Sequence, residues 1–126
     1  MDTGSQIDDA PIEGNWQQRR LERIKEYIAE NLSTNLSTAV IAAKFGIASS
    51  TLANSFQKFL PESYQRYVEK VRMKKAMDLT RQGKRIWEIM LATGYKNYST
   101  FHKAFRRAFE HPPGRFRYDG EKECLL

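Results

Sequence analysis

Hydrophobic residues recur along this chain at intervals of three and four, the spacing of one face of an α-helix. Leu21, Ile24, Ile28 and Leu32 form the first such stripe. It predicts a helix over about 16–32, opened by Asn15 with Gln18 three residues on, the pattern of a capping box. A short helix over about 38–45 follows, with Ser37 as its cap and Gly46 at its end, where a left-handed residue closes a helix with least strain. Leu52, Phe56 and Phe59 mark another over about 49–60. Pro61 interrupts it and suits the first turn of a successor. Tyr64, Tyr67, Val68, Val71, Ala76 and Leu79 predict a long helix over about 62–81, ended by Gly83. Ile86, Ile89 and Met90 belong to a short helix closed by Gly94. Asn97 caps a last helix carrying Phe101, Ala104, Phe105 and Phe109, and Pro112-Pro113-Gly114 stops it. No stretch alternates with a period of two, so the fold class expected is all-α, with about seven helices.

Two of these segments repeat one pattern. Ile41-Ala42-Ala43-Lys44-Phe45-Gly46 leads to Ile47, Leu52 and Phe56, and Ile89-Met90-Leu91-Ala92-Thr93-Gly94 leads to Tyr95, Phe101 and Phe105. The offset is 48 at the glycines and 49 at the later aromatics, so the second turn holds one extra residue. A short helix, a glycine turn and a second helix with hydrophobics four apart describe a helix-turn-helix. The expected organisation is a flexible acidic tail over 1–14 and a body over 15–118. Within the body lie a first helix-turn-helix at about 38–60, a linker helix at about 62–81 and a second helix-turn-helix at about 85–109. A short tail over 119–126 follows.

Charge narrows the partners. The chain of 126 residues carries a net charge of +6, unevenly spread. Residues 1–15 hold Asp2, Asp8, Asp9 and Glu13 and no Lys or Arg, whereas residues 62–117 hold fourteen basic groups against five acidic ones. A body this basic attracts polyanions, nucleic acid first. The single cysteine, Cys124, excludes an intramolecular disulfide and any multi-cysteine metal site. No apolar run approaches the ~18 residues needed to span a bilayer. The expectation is a protein of the cytoplasm, nucleoid-associated, with no membrane partner and no cofactor. Two histidines, one cysteine near the end of the chain and scattered carboxylates form no catalytic constellation, and there is no Gly-rich phosphate loop. The chain is not expected to be an enzyme.

The segment Ile86-Trp87-Glu88-Ile89…Gly94-Tyr95…Tyr98-Ser99-Thr100-Phe101-His102-Lys103-Ala104-Phe105-Arg106-Arg107…Phe109…Pro113…Phe116-Arg117 resembles the signature of the AraC/XylS (arabinose-regulator) family of transcription factors. Tyr67…Arg72-Met73…Ala76…Leu79 is similar to that family's middle helix. With the first helix included, the likeness covers roughly 100 of the 126 residues. It implies two helix-turn-helix subdomains joined by a long helix, one recognition helix from each entering adjacent major grooves of double-stranded DNA. The two units differ in sequence, so the site should be asymmetric and the protein a monomer on it.

For the first reader the resemblance implies base contacts from Ser50, Thr51, Ala53 and Asn54, and Asn pairs best with adenine edges. For the second it implies Tyr98, Ser99, His102 and Lys103, with Lys103 able to bond guanine. Lys58, Arg106 and Arg107 are expected on phosphates. Lys84 and Arg85 join them on a physical argument: cations without a Ser or Asp cap at a helix start are unfavourable until a phosphate binds there. Pro61 and Glu110 depart from the family by replacing glycines after the recognition helices. Trp87 stands where the family has a small residue. It is expected to pack against the long helix, with an exposed contact to RNA polymerase as the alternative. The function expected is a sequence-specific transcription regulator, an activator by the family's commoner mode. The alternatives are a DNA-binding fragment of a larger sensor-regulator, and an architectural or protein-interaction module that binds DNA without sequence preference.

Overall fold

Glycine turns and proline stops divide the chain much as the hydrophobic pattern requires. The computed structural model describes residues 12–116, with side chains from Trp16 onward. Both expected tails, apart from Ile12–Gly14, and Cys124 lie outside the described residues. The helices are α1 (Ile12–Glu30), α2 (Thr38–Lys44), α3 (Ser49–Phe59), α4 (Tyr64–Arg81), α5 (Ile86–Thr93) and α6 (Tyr98–Phe109), followed by a 3₁₀ turn at Pro113–Arg115. The fold is all-α, with no strand among the described residues.

Two compact units emerge. The first combines α1 with Ser37–Tyr64. Its core is Leu21, Ile24 and Ile28 of α1, Ile41 and Ala42 of α2, and Leu52 and Phe56 of α3. Tyr64 closes it, its ring edge-on to Phe56 at 5.1 Å. The second unit takes Asn31–Leu36 and the chain from Gln65 on. Met73, Ala76 and Met77 of α4 pack there with Ile89 of α5 and with Phe101, Ala104 and Phe105 of α6. Phe109 and Phe116 extend the aromatic cluster, with Phe105 and Phe109 centred 4.7 Å apart. The long helix therefore belongs to the second unit apart from Tyr64.

Two helix starts differ from the sequence expectation. Helix α1 begins at Ile12, so Asn15 lies inside it and is not its cap. A capping pattern acts only where the helix stops, and Gly14 costs a continuing helix only about 1 kcal/mol. Helix α4 begins at Tyr64, after Ser63, a residue type favoured before a helix, so Pro61 is not in its first turn. Pro61 instead ends α3. It holds the preceding Leu60 extended, at φ −129° and ψ 153°, as a residue before proline prefers.

Turns α2–α3 and α5–α6 close in the same way. Gly46 N–H donates to the Ala43 carbonyl at 3.2 Å and Ile47 N–H to Ala42 at 2.9 Å. Gly94 N–H donates to Leu91 at 3.4 Å and Tyr95 N–H to Met90 at 2.9 Å. This paired closure needs a left-handed residue, and the glycines supply it at φ 69° and 81°. From Gly46 two residues lead to α3, which starts behind Ala48 with no side-chain cap. From Gly94 three residues lead to α6, and the extra one admits Asn97, whose side chain accepts from Thr100 N–H at 3.1 Å. After α6, Glu110 is itself left-handed, φ 68°, the conformation for which a glycine is the unstrained choice.

The two turn glycines should differ in how they tolerate a methyl group. A Cβ on Gly94 would collide with the Leu32 carbonyl oxygen and meet the Arg72 guanidinium at 2.9 Å, whereas one on Gly46 meets nothing within 4 Å. Gly46→Ala should cost about 1–2 kcal/mol from the positive φ alone. Gly94→Ala should cost about 1–3 kcal/mol more from the clash. Urea unfolding of both variants measures the difference, and equal losses would refute the close approach.

Candidate nucleic-acid interface

Each recognition helix buries one side and leaves the other to solvent. On α6, Phe101, Ala104 and Phe105 face the core. The opposite stripe is Ser99, His102, Lys103 and Arg106, spaced three and four apart as one helical face requires. Ser99, Lys103 and Arg106 are exposed and His102 is half-buried. Tyr98 stands at the start of the helix, 50% exposed, its ring centred 5.4 Å from that of His102. On α3, Leu52 and Phe56 face the core, and the outward stripe is Ser50, Ala53, Asn54 and Gln57. Ser50 and Asn54 are exposed, while Ala53 and Thr51 are half-buried. Sequence reasoning missed Gln57, although its place three residues beyond Asn54 marks it as a member of that face. It also missed Lys96, exposed in the turn just ahead of α6.

The two helices align at an offset of 49, and the alignment pairs Lys58 with Arg107. Both were expected on phosphates, and both are tied to a neighbouring helix of their own unit. Arg107 donates from Nε and Nη2 to the Glu69 carboxylate on α4, at 3.0 and 2.7 Å. Lys58 reaches Gln17 on α1 at 3.4 Å and lies over the Phe59 ring. Lys103 and Arg106 take no partner among the described residues.

The start of α5 has no Ser or Asp cap, as expected, yet it finds a group from within the helix. The helix is not without a capping group: Arg85 N–H donates to the Glu88 carboxylate at 2.9 Å. This is half of a capping box, and the guanidinium, which has only donors, cannot complete it. The carboxylate also offsets the cations near the helix start. Lys84 and Arg85 nonetheless remain exposed.

Trp87 corrects the expectation of core packing. It does not pack into the core but is 58% exposed, with Leu91, 64% exposed, one turn along the same face. Ile86, Ile89 and Met90 already occupy the inward side of α5, so the positions between them turn outward. In α2 the equivalent places, 48 residues earlier, hold Ala39 and Ala43.

Behind the second reader, Arg72 acts as a brace. Its Nη2 donates to the Thr34 carbonyl at 2.9 Å, and its guanidinium lies over the Tyr95 ring at 5.7 Å and against Gly94. No local pattern announces this contact, because its partners are 38 and 22–23 residues away in sequence. Burial pushes the Tyr95 phenol above its ordinary value of 10.0, and the Glu69 carboxylate adds to the rise, while Arg72 and Arg107 oppose it.

Comparison with known proteins now adds to this geometry. A family model described as "Helix-turn-helix domain" matches residues 41–119, more than half of the chain. A solved transcriptional regulator of Chromobacterium violaceum, described as containing an AraC-type DNA-binding domain, superposes with a TM-score of 0.74 at 25% identity, covering 86% of this chain and 98% of that one. The chain belongs to the AraC-type helix-turn-helix family. Among AraC-type relatives, the regulatory protein SoxS of Salmonella typhimurium is 26% identical over 102 residues, which are 80% of this chain and 95% of that protein. The Msm operon regulatory protein of Streptococcus mutans is 31% identical over 98 residues, which are 77% of this chain but 35% of that protein. These relatives are bacterial regulators. No helix among the described residues is long and apolar enough to cross a membrane.

The raised Tyr95 phenol gives a pH dependence. A group whose pKa is higher in the fold stabilises it below the unfolded value and loses that contribution as pH rises. Stability should therefore decline above pH 10.0, the ordinary phenol value. Tyr95→Phe should flatten part of that decline in urea titrations. An identical decline in the variant would refute the assignment.

Proposed function

We propose that this chain is a transcription regulator, acting in the cytoplasm on nucleoid DNA, that binds one asymmetric duplex site as a monomer. Helices α3 and α6 enter successive major grooves, which lie about 34 Å apart on one face of B-DNA. The observation that carries this reading is the solvent-facing stripe of α6, where Lys103 and Arg106 stand on a rigid helix whose other side is core. Ser50, Thr51, Ala53 and Asn54 read bases from α3. Tyr98, Ser99, His102 and Lys103 read them from α6, and Lys103 suits guanine O6 and N7. Lys84, Arg85 and Arg106 hold phosphates, and Lys58 and Arg107 add to the positive field from their internal tethers. The described residues hold no cluster of three or more His, Cys, Asp or Glu able to bind a metal ion, and the family's regulators point away from catalysis.

Selection from a random duplex library at about 150 mM salt tests this reading, since non-specific contacts weaken steeply in that range. The expected result is an asymmetric motif of two blocks about one helical turn apart. Lys103→Ala should weaken the selected site by about 1–3 kcal/mol, roughly five- to 150-fold, and relax one base of one block. No enriched motif would overturn sequence reading and leave an architectural role.

Activation is the proposed sign of regulation, with RNA polymerase as the partner. Trp87 and Leu91 supply the support, as an exposed apolar pair of the kind that anchors protein contacts. Trp87→Ala with Leu91→Ala should lower transcription from a promoter carrying the selected site several-fold and leave DNA affinity unchanged. Full transcription with the double variant would refute this surface.

A further inference from the structure

The two recognition helices share a backbone plan and differ in charge at matching places. At the offset of 49, Ser50 pairs with Ser99, Ala53 with His102, Asn54 with Lys103 and Gln57 with Arg106. Both permanent cations on the outward stripe of α6 are thus replaced on α3 by neutral amides. The two helix-turn-helix segments repeat the contrast. Residues 38–59 carry Lys44 and Lys58 as their only charges, and Lys44 lies over the Tyr27 ring at 5.1 Å while Lys58 holds Gln17. Residues 84–109 carry Lys84, Arg85, Lys96, Lys103, Arg106 and Arg107 against Glu88.

We infer that the two helix-turn-helix segments divide the work of DNA binding: the second supplies the ionic anchoring, and the first selects bases through uncharged contacts that add almost nothing to the salt dependence. This rests on the reading of α3 and α6 as recognition helices. The physical basis is counterion release. Each phosphate neutralised by a cation contributes about −0.9 to the slope of log affinity against log salt, whereas an amide or methyl contact to a base edge releases no ion. Asn54 bonds adenine N6 and N7, Gln57 extends the same amide chemistry half a groove further, and Ala53 offers a methyl to thymine. The block under α3 is therefore selected as A·T-containing, and it is read only after α6 and its flanking cations have brought the protein onto the duplex.

Anchoring can be measured without knowing the target. Fluorescence anisotropy on a labelled 24-base-pair duplex of arbitrary sequence, between 50 and 200 mM KCl, gives the slope for the full chain. On a duplex of arbitrary sequence Arg106 neutralises a phosphate and the Lys103 charge lies in the groove beside others, so Lys103→Gln with Arg106→Gln should flatten the slope by about 1 to 2 and lower affinity several-fold or more at the low-salt end. Lys44→Gln with Lys58→Gln should flatten it by less than about 0.5. All four residues are exposed, so circular dichroism should show both variants folded. Equal changes from the two pairs, or a larger change from Lys44→Gln with Lys58→Gln, would overturn the division. On the selected duplex, Asn54→Ala should weaken binding several-fold by the same factor at every salt concentration, and a changed slope would count against neutral reading. Failure of the library to yield any motif would instead strike the proposed function, leaving the anchoring result to stand or fall separately.

Discussion

Two helices can cross closely only where the chain between them reverses within a few residues and still satisfies the carbonyls it leaves behind. Gly46 and Gly94 meet that constraint, each donating with its successor to the last turn of the preceding helix. The rest of each unit depends on the result. Tyr95, just after the second glycine, packs against the core of its own unit, and after each glycine the next helix starts close enough for Leu52 and Phe56, or Phe101 and Phe105, to complete the core. In the second unit the constraint is doubled, because Gly94 also lies against the Leu32 carbonyl and the Arg72 guanidinium. Segment 31–36, Arg72 and the turn thereby become one packed arrangement, tying the brace on α4 to the angle at which α6 leaves.

A single inserted residue separates the two turns, and it changes how the helices begin. The second turn gains Asn97, which caps α6 at Thr100 N–H. The first turn ends on Ala48 and leaves the α3 start without a side-chain acceptor. A helix cap of this kind is worth about 1 kcal/mol. Helix α6, the more basic of the two, is thus also the one with the locally stronger start.

Much of this was legible in the sequence because it is written in local rules. Helical spacing located the six helices, the glycines and Pro112-Pro113 located most of their ends, and the internal repeat exposed the paired turns. What was hidden was of two kinds. The start of α1 and the start of α4 were misjudged because Asn15 and Pro61 match terminal patterns that the continuing or ending helix did not use. The ties of Arg72 to Thr34 and of Arg107 to Glu69 join residues 38 apart and obey no short-range pattern. Trp87 and Glu88 belong to neither kind. A helical projection of α5 already separates Trp87 and Leu91 from Ile86, Ile89 and Met90, and Glu88 sits three residues after Arg85, where a capping carboxylate belongs.

The tethers at Lys58 and Arg107 bear on how faithfully each helix keeps its rotation about its own axis. A roll of about 20° moves a side chain at the helix surface, about 5–6 Å from the axis, by roughly 2 Å, more than a hydrogen bond tolerates. Arg107 resists such a roll with two short charged bonds to one carboxylate, while Lys58 resists it with one 3.4 Å bond to an amide. Helix α6 is in this sense keyed to its unit more firmly than α3. In the proposed complex the keyed helix presents Lys103 and Arg106 at one fixed angle, so a change of rotation costs both contacts together.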